Sequence, residues 1–344
     1  MIQVKIYLKP KPILIEKVKG EMALWRLRIT MLGTLAVLIG ISTLFFTAIL
    51  AVLGVFNLFS LLAFVLLFNI AQWLFSPYLI DRLYHVRKLE ENEQPWLHQA
   101  LAKICERSGT GIPRLMLAQI NLPNAFAYGS PIAGNRMAIT SGLLQELNQQ
   151  EVGAVIGHEV GHLKHRDVQI MMIASLLPAL FYYLGYSFIW SGGGSRGRNN
   201  GATSVLIGIG SIVVYWVLTF VVLGLGRLRE YYADAHSAQI LEGGATNLST
   251  GLAKIVSSTS RKKLFSRQPS GGQGFKALFI ADPDTSVRDA AEMASAGVEF
   301  HGRNVAMVEE LLNRPVSTGD RILELFSTHP NIAKRLRALK ELQS

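Results

Sequence analysis

Cysteine is nearly missing from this chain. The single thiol, Cys105, excludes an internal disulfide and reads as a small core residue. Charge is scarce as well: 17% of residues are charged and 50% are hydrophobic, a balance that argues against an ordinary soluble domain and for a membrane protein. Acidic residues are the scarcer sign, 24 against 34 Lys and Arg, for a formal net charge of +10. In a membrane protein such an excess marks cytosol-facing segments beside anionic lipid. No basic stripe with interleaved aromatics occurs, so the partner implied is a lipid bilayer and not nucleic acid.

The longest gap in charge lies between Arg28 and Asp81, 52 residues rich in Leu, Ile, Val, Phe and Ala. One helical span needs about 20 residues, so the run predicts two spans with a turn near Gly54–Asn57. A cleaved signal peptide fits poorly, because the run is too long. Two further gaps of 28 residues each lie between Asp167 and Arg196 and between Arg198 and Arg227. They predict a second hairpin, roughly 168–190 and 204–226, joined by a flexible polar loop at 191–203. Positive residues Arg82, Arg87, Lys88, Lys164, Arg166, Arg227 and Arg229 crowd the predicted span ends. That bias predicts a multi-pass cell-membrane protein with both termini and the bulk of the chain in the cytosol.

The resulting organisation is a basic cytosolic segment 1–28, a first hairpin 29–80, a cytosolic part 81–167, a second hairpin 168–226 and a cytosolic part 227–344. In the first cytosolic part, Glu93–Arg107 has helical spacing, with Trp96, Leu97, Ala100, Leu101 and Ile104 on one side. Strand-like pieces follow at Arg114–Gln119, Ala125–Gly129 and Met137–Thr140. Asn148 with Glu151 three residues on is a capping-box signature for another helix. Beyond the second hairpin, helices are expected at Arg227–Glu242, Asn247–Ser257, Ser286–Ala296, Val305–Asn313 and Asp320–Phe326, with a mobile loop at 258–274. The chain closes on a basic amphipathic helix, Asn331–Leu342, read as a solvated surface helix packing Ile332, Leu336 and Leu339.

The capped helix carries His158-Glu159-Val160-Gly161-His162, an H-E-x-x-H pattern. On a helix the two histidines project from one face and can bind one Zn²⁺, with Glu159 beside it as general base. The third histidine of the H-E-x-x-H-x-x-G-x-x-H class is excluded, because His165 and Val168 occupy its glycine and histidine positions. The other common third ligand is a Glu on a later helix. Glu230 and Asp234, four apart, share a face there. Glu230 is assigned as ligand and Asp234 as acceptor for a ligand imidazole. A membrane hairpin between His162 and Glu230 would bring the two helix ends together. His85, His98, His165, His236 and His301 read as surface or interfacial residues, and Tyr231 and Tyr232 are balanced between a site role and an interface role.

Taken together, His158–His162, Arg229-Glu230-Tyr231-Tyr232-Ala233-Asp234, Pro123–Gly129 and Leu325-Phe326-Ser327-Thr328-His329-Pro330 make the chain resemble HtpX-type membrane metalloproteases, relatives of the type I CAAX prenyl proteases. With the four spans that the uncharged runs predict, the resemblance implies a cytosolic α+β zincin-like (gluzincin) domain with a small β-sheet, one Zn²⁺ per chain, and protein or peptide substrates. It implies that Glu159 activates the attacking water, and that Asn124, Ala125 and Phe126 belong to an edge strand pairing with substrate backbone. It puts His329 near the site, steadying the oxyanion or the peptide. The expected activity is hydrolysis of membrane or misfolded proteins at the cytosolic face, a quality-control role. The competing readings are a CAAX-type prenyl-peptide protease and a non-catalytic membrane scaffold with a zinc site. Self-cleavage in detergent is the discriminating observation: a zinc chelator is expected to stop it, and chelator-insensitive self-cleavage would refute the metal-dependent reading.

Overall fold

The structure is a computed structural model, and it describes residues 58–192, 200–265 and 304–343. The chain divides into two compact units, Met1–Phe64 and Val65–Ser344. Of the first, only the opening turns of one helix are described. The expected span before residue 58, the turn at 54–57, residues 193–199 of the polar loop, the helix at 286–296 and His301 lie outside the described residues.

Helix α1 covers Leu58–Leu83 and leads into a short strand β1, Val86–Lys88. Helix α2, Pro95–Ser108, starts with Pro in its first turn and stops at Gly109, whose φ of 66° supplies the left-handed cap. Strands β2 (Arg114–Ala118), β3 (Ala125–Ser130) and β4 (Gly134–Thr140) complete a four-stranded sheet of order β1-β2-β4-β3. β2 runs parallel to β4, and the β1–β2 and β3–β4 pairs are antiparallel. β3 is therefore an edge strand.

Side chains alternate across this sheet as the period of two requires. Leu115, Leu117, Ala125, Met137 and Ile139 enter the main core. Met116, Phe126, Tyr128 and Ala138 face the other way, onto Ile80 and Tyr84 at the end of α1 and just beyond it. β1 was not foreseen: Val-Arg-Lys is too short and too charged to show an alternation.

After the small helix α3 (Ser141–Glu146) comes α4, Gln149–Lys164. Its capping box is formed: the Asn148 side chain accepts from Glu151 N at 2.9 Å, and the Glu151 carboxylate accepts from Asn148 N at 2.9 Å. Residues from Glu151 through Gly161 are almost all buried, so α4 is a central helix covered on every side and not the amphipathic one its stripe suggests. Helix α5 spans Asp167–Gly192 and helix α6 spans Asn200–Ile240. Ser191, Gly192, Asn200 and Gly201 are thus helical, a correction to the ends of the expected loop.

A second correction concerns α6. The span expected at 204–226 and the helix expected at Arg227–Glu242 are one continuous helix of 41 residues, which runs from the apolar segment into the one that carries Glu230 and Asp234. Gly224 and Gly226 weaken a helix by about 1 kcal/mol each but do not end it, and no proline intervenes. Among the described residues, Ala202–Ile240 is long and apolar enough to cross a membrane, by length and composition.

Helix α7, Gly244–Phe265, takes in residues 258–265 of the loop expected at 258–274, a correction to its first part, and residues 266–274 lie outside the described residues. Neither Gly nor Pro occurs between Gly251 and Pro269, and Ser258 and Thr259 are buried, so the helix continues. Helices α8 (Asn304–Asn313), α9 (Thr318–Leu325) and α10 (Ile332–Glu341) follow. α9 starts in a capping box between Ser317 and Asp320.

The packing of α4 on α6 depends on two glycines. A Cβ at Gly157 would lie 2.9 Å from Ser237 Oγ, and one at Gly161 would lie 3.1 Å from Ala233 Cα. Ser237 Oγ donates to Ala154 O at 2.6 Å across the same seam. Small residues four apart on both helices thus let the backbones meet. Gly161→Val is expected to destabilise the protein by about 1–3 kcal/mol through overpacking, read as a lowered midpoint of denaturant unfolding. An unchanged midpoint would show that the seam is loose.

Candidate metal centre

His158 and His162, one turn apart on α4, point their Nε2 atoms together at 3.1 Å. Across the glycine seam, α6 presents Glu230, with Oε2 3.6 Å from His158 Nε2 and Oε1 3.5 Å from His162 Nε2. Tetrahedral zinc with bonds of about 2.0–2.2 Å sets its ligand atoms roughly 3.3 Å apart, so these three groups fit a metal ion. The sequence-predicted set His158, Glu159, His162, Glu230 and Asp234 is brought together, all of it buried apart from the partly exposed His162.

The outer nitrogens fix the tautomers. His158 Nδ1 lies 2.8 Å from Asp234 Oδ1, and His162 Nδ1 lies 2.6 Å from Asp167 Oδ2. With Nδ1–H turned to a carboxylate in each ring, both Nε2 lone pairs face Glu230. Such an arrangement of acceptors repels itself unless a cation sits among them.

Glu159 is also within ligand distance of the histidines. Its Oε2, however, accepts a hydrogen bond from Ala127 N at 2.9 Å, which holds the carboxylate against β3. Burial pushes the Glu159 carboxyl above its usual range, against the pull of His162 and His158.

Sequence reasoning missed three participants. Asp167 opens α5 and was read only as the boundary of an uncharged run; it also pairs with Arg229 of α6. Ala127 acts through its backbone, which no side-chain pattern reveals. Arg335 is the largest omission. It is 1% exposed, in the middle of the helix expected to be solvated. It donates to Asp234 at 2.8 Å and 2.6 Å, and its Nη1 lies 3.0 Å from Glu230 Oε2. Burial works to raise the Glu230 carboxyl, but His329 and Arg335 outweigh it and hold the group well below the usual carboxylate range. A signal was present: Arg335 lies within the stripe Ile332, Leu336 and Leu339, where only a guanidinium with a buried carboxylate partner belongs.

His329 is in the cluster, with Nδ1 3.3 Å from Glu230 Oε1. Asn124 is buried at the start of β3, its N–H donating to Thr140 Oγ1 and its carbonyl accepting from Thr140 N. The side chains of Ala125 and Phe126 do not reach the centre. Ala125 is in the main core, and Phe126 packs 5.4 Å and 6.1 Å from the rings of Tyr128 and Tyr84. Backbone parity decides what β3 offers. Asn124 pairs toward β4 and Ala127 points its N–H away from β4, so the main-chain groups of Ala125, Ala127 and Gly129 face the open edge.

His236 is buried rather than superficial, 3.0 Å from Ser108 Oγ, and is lowered to about 4 by burial and by Lys164. Tyr232 is 67% exposed and points away from the cluster.

The description of peptidase family M48 matches residues 91–343. The chain belongs to that family. It is a metallopeptidase that hydrolyses peptide bonds in protein or peptide substrates. Similar relatives are the protease HtpX homologues of Thermoplasma acidophilum, 37% identical over 83% of this chain and 86% of that one, and of Aeropyrum pernix, 38% identical over 85% and 88%. The protease HtpX homologue 2 of Saccharolobus solfataricus is 36% identical over 95% and 97%. The crystal structure of S. mikatae Ste24p shares the fold, with a TM-score of 0.53 at 18% identity, covering 92% of this chain and 67% of that one.

Removing Arg335 leaves two buried carboxylates without their counter-charge. Arg335→Met is expected to cost about 3–5 kcal/mol of stability, and Arg335→Lys less. Thermal unfolding in detergent measures both, and an unshifted melting temperature for the Met variant would show that the ion pairs are dispensable.

Proposed function

We propose that this peptidase is a membrane-embedded zinc endopeptidase, cutting membrane or misfolded proteins at the cytosolic face of the cell membrane. The observation that carries this reading is the convergence of His158 Nε2, His162 Nε2 and the Glu230 carboxylate at 3.1–3.6 Å, with Glu159 alongside. His158, His162 and Glu230 would hold the ion, and Asp234 and Asp167 would orient the two imidazoles. Zinc, when bound, polarises the scissile carbonyl and makes water a nucleophile at neutral pH.

The chain's own groups supply the rest. Ala127 N–H occupies Glu159 Oε2, which leaves Oε1 to take the proton from the attacking water and pass it to the leaving amine. The open edge of β3 can pair with an extended substrate, an affinity that is sequence-tolerant because main-chain bonds supply it. That tolerance suits a quality-control enzyme. His329 Nε2 has no hydrogen-bond partner among the described residues and is available to the oxyanion.

Four spans, in two hairpins at 29–80 and 168–226, fit the uncharged runs, and the basic residues at their ends put residues 1–28, 81–167 and 227–344 in the cytosol. This arrangement holds the centre beside the bilayer, where membrane substrates arrive.

Glu159→Gln tests the chemistry. It should keep one equivalent of zinc and lose casein cleavage by about 10²–10⁴-fold. Undiminished cleavage would sink the assignment. Asp234→Asn should weaken zinc binding about 10–100-fold against a competing chelator, without removing any ligand atom.

A further inference from the structure

Beside the metal centre lies a pocket of about 130 Å³, lined by Tyr128, Gly129, Asn135, His162, Arg166 and Gln169 among others. It joins the two features a substrate must meet. His162 belongs to the candidate ligand set, and Gly129 is the next edge-facing residue of β3 after Ala127. Two residues of extended chain cover about 7 Å, so the pocket lies within one or two substrate residues of the reacting bond.

The pocket's charge is one-sided. Arg166 is exposed, and among the described residues no carboxylate pairs with it. Of the other polar side chains at the wall, His162 belongs to the candidate ligand set, Tyr128 donates its hydroxyl to Asp81 at 2.6 Å, and Asn135 and Gln169 carry neutral amides, while the neighbouring Asp167 is already taken by His162 and Arg229. Arg166 is also held with φ at 55°, one of two non-glycine residues with positive φ among the described residues. Its N–H donates to Leu163 O and its carbonyl accepts from Ile170 N, so it forms the joint between α4 and α5. A glycine would make that joint without strain. Strain borne by a long cation at the wall of a pocket, beside a reacting centre, marks a functional position.

We propose that this pocket is a specificity subsite, in which Arg166 takes an acidic side chain of the substrate close to the scissile bond. The guanidinium offers two parallel donors to a carboxylate, and Asn135 and Gln169 supply further polar contacts. The proposal rests on the peptidase reading above. It narrows an otherwise sequence-tolerant strand pairing by one charged position.

The experiment uses the full-length protein in detergent with matched peptide sets, each carrying Glu, Leu or Lys at one of the three positions on either side of the cleaved bond. Cut sites are read by mass spectrometry. At one position Glu is expected to be preferred over Lys by about tenfold or more in kcat/KM. Arg166→Glu should reverse that preference. In parallel, the same peptides are bound to Glu159→Gln protein and to Glu159→Gln/Arg166→Glu protein, read by fluorescence anisotropy. The same inversion is expected there. Cleavage with no acidic preference at any position would overturn the subsite and leave the peptidase reading intact. If no peptide is cut, the peptidase reading fails, and the anisotropy ratio alone decides the subsite. If Arg166→Glu leaves both ratios unchanged but weakens binding to vesicles containing anionic phospholipid, Arg166 is a lipid contact and the proposal is wrong.

Discussion

The close approach of α4 and α6 is the constraint on which the rest depends. Glycines at 157 and 161 leave no side chain in the seam, and Ala233 and Ser237 fill it from the other side. Helices usually pack 8–10 Å apart, and small residues bring them toward the near end of that range. The side chains of the candidate ligands His158, His162 and Glu230 are short. Two imidazoles and one glutamate can meet around a single ion only if their backbones are this close. The glycines of the Gly157–Gly161 stretch therefore matter to this convergence as much as the histidines do.

Charge is the second constraint. Glu159, Glu230, Asp234 and Asp167 are buried together, with Arg335 and Arg229 as their cationic partners. When ionised, four carboxylates against two guanidiniums leave two negative charges, and imidazoles that hold an ion through Nε2 add none. A divalent cation restores balance in a volume where an uncompensated charge is very costly. The same ledger explains why Arg335 sits inside an apolar stripe.

Much of the centre was legible in the sequence because its signals were local and periodic. His158, Glu159 and His162 share one helix, Asn148 and Glu151 announce where that helix begins, and Glu230 and Asp234 repeat the four-residue spacing on another. The strand at Ala125–Ser130 was visible, as Ala125–Gly129, through its bounding Pro, Asn and Gly residues, and its edge position through family resemblance alone. What escaped was non-local or carried by the backbone. Arg335 reaches Asp234 across 101 residues of sequence, and its charge reads as surface until its apolar neighbours are weighed. The Ala127 amide has no residue signature. Arg227 looked like a boundary because the composition changes there, yet helical hydrogen bonding does not respond to composition alone.

The continuity of α6 has a mechanical consequence. About 36 Å of unbroken helix separates Leu206, in the apolar stretch, from Glu230 at the candidate metal centre. No joint lies between them, so the two ends behave as one shaft. The glutamate cannot be repositioned alone: shifting it means rotating or tilting the apolar stretch as well, or breaking main-chain hydrogen bonds along the way. Whatever fixes the tilt of that shaft thereby also sets the aperture between Glu230 and the two histidines.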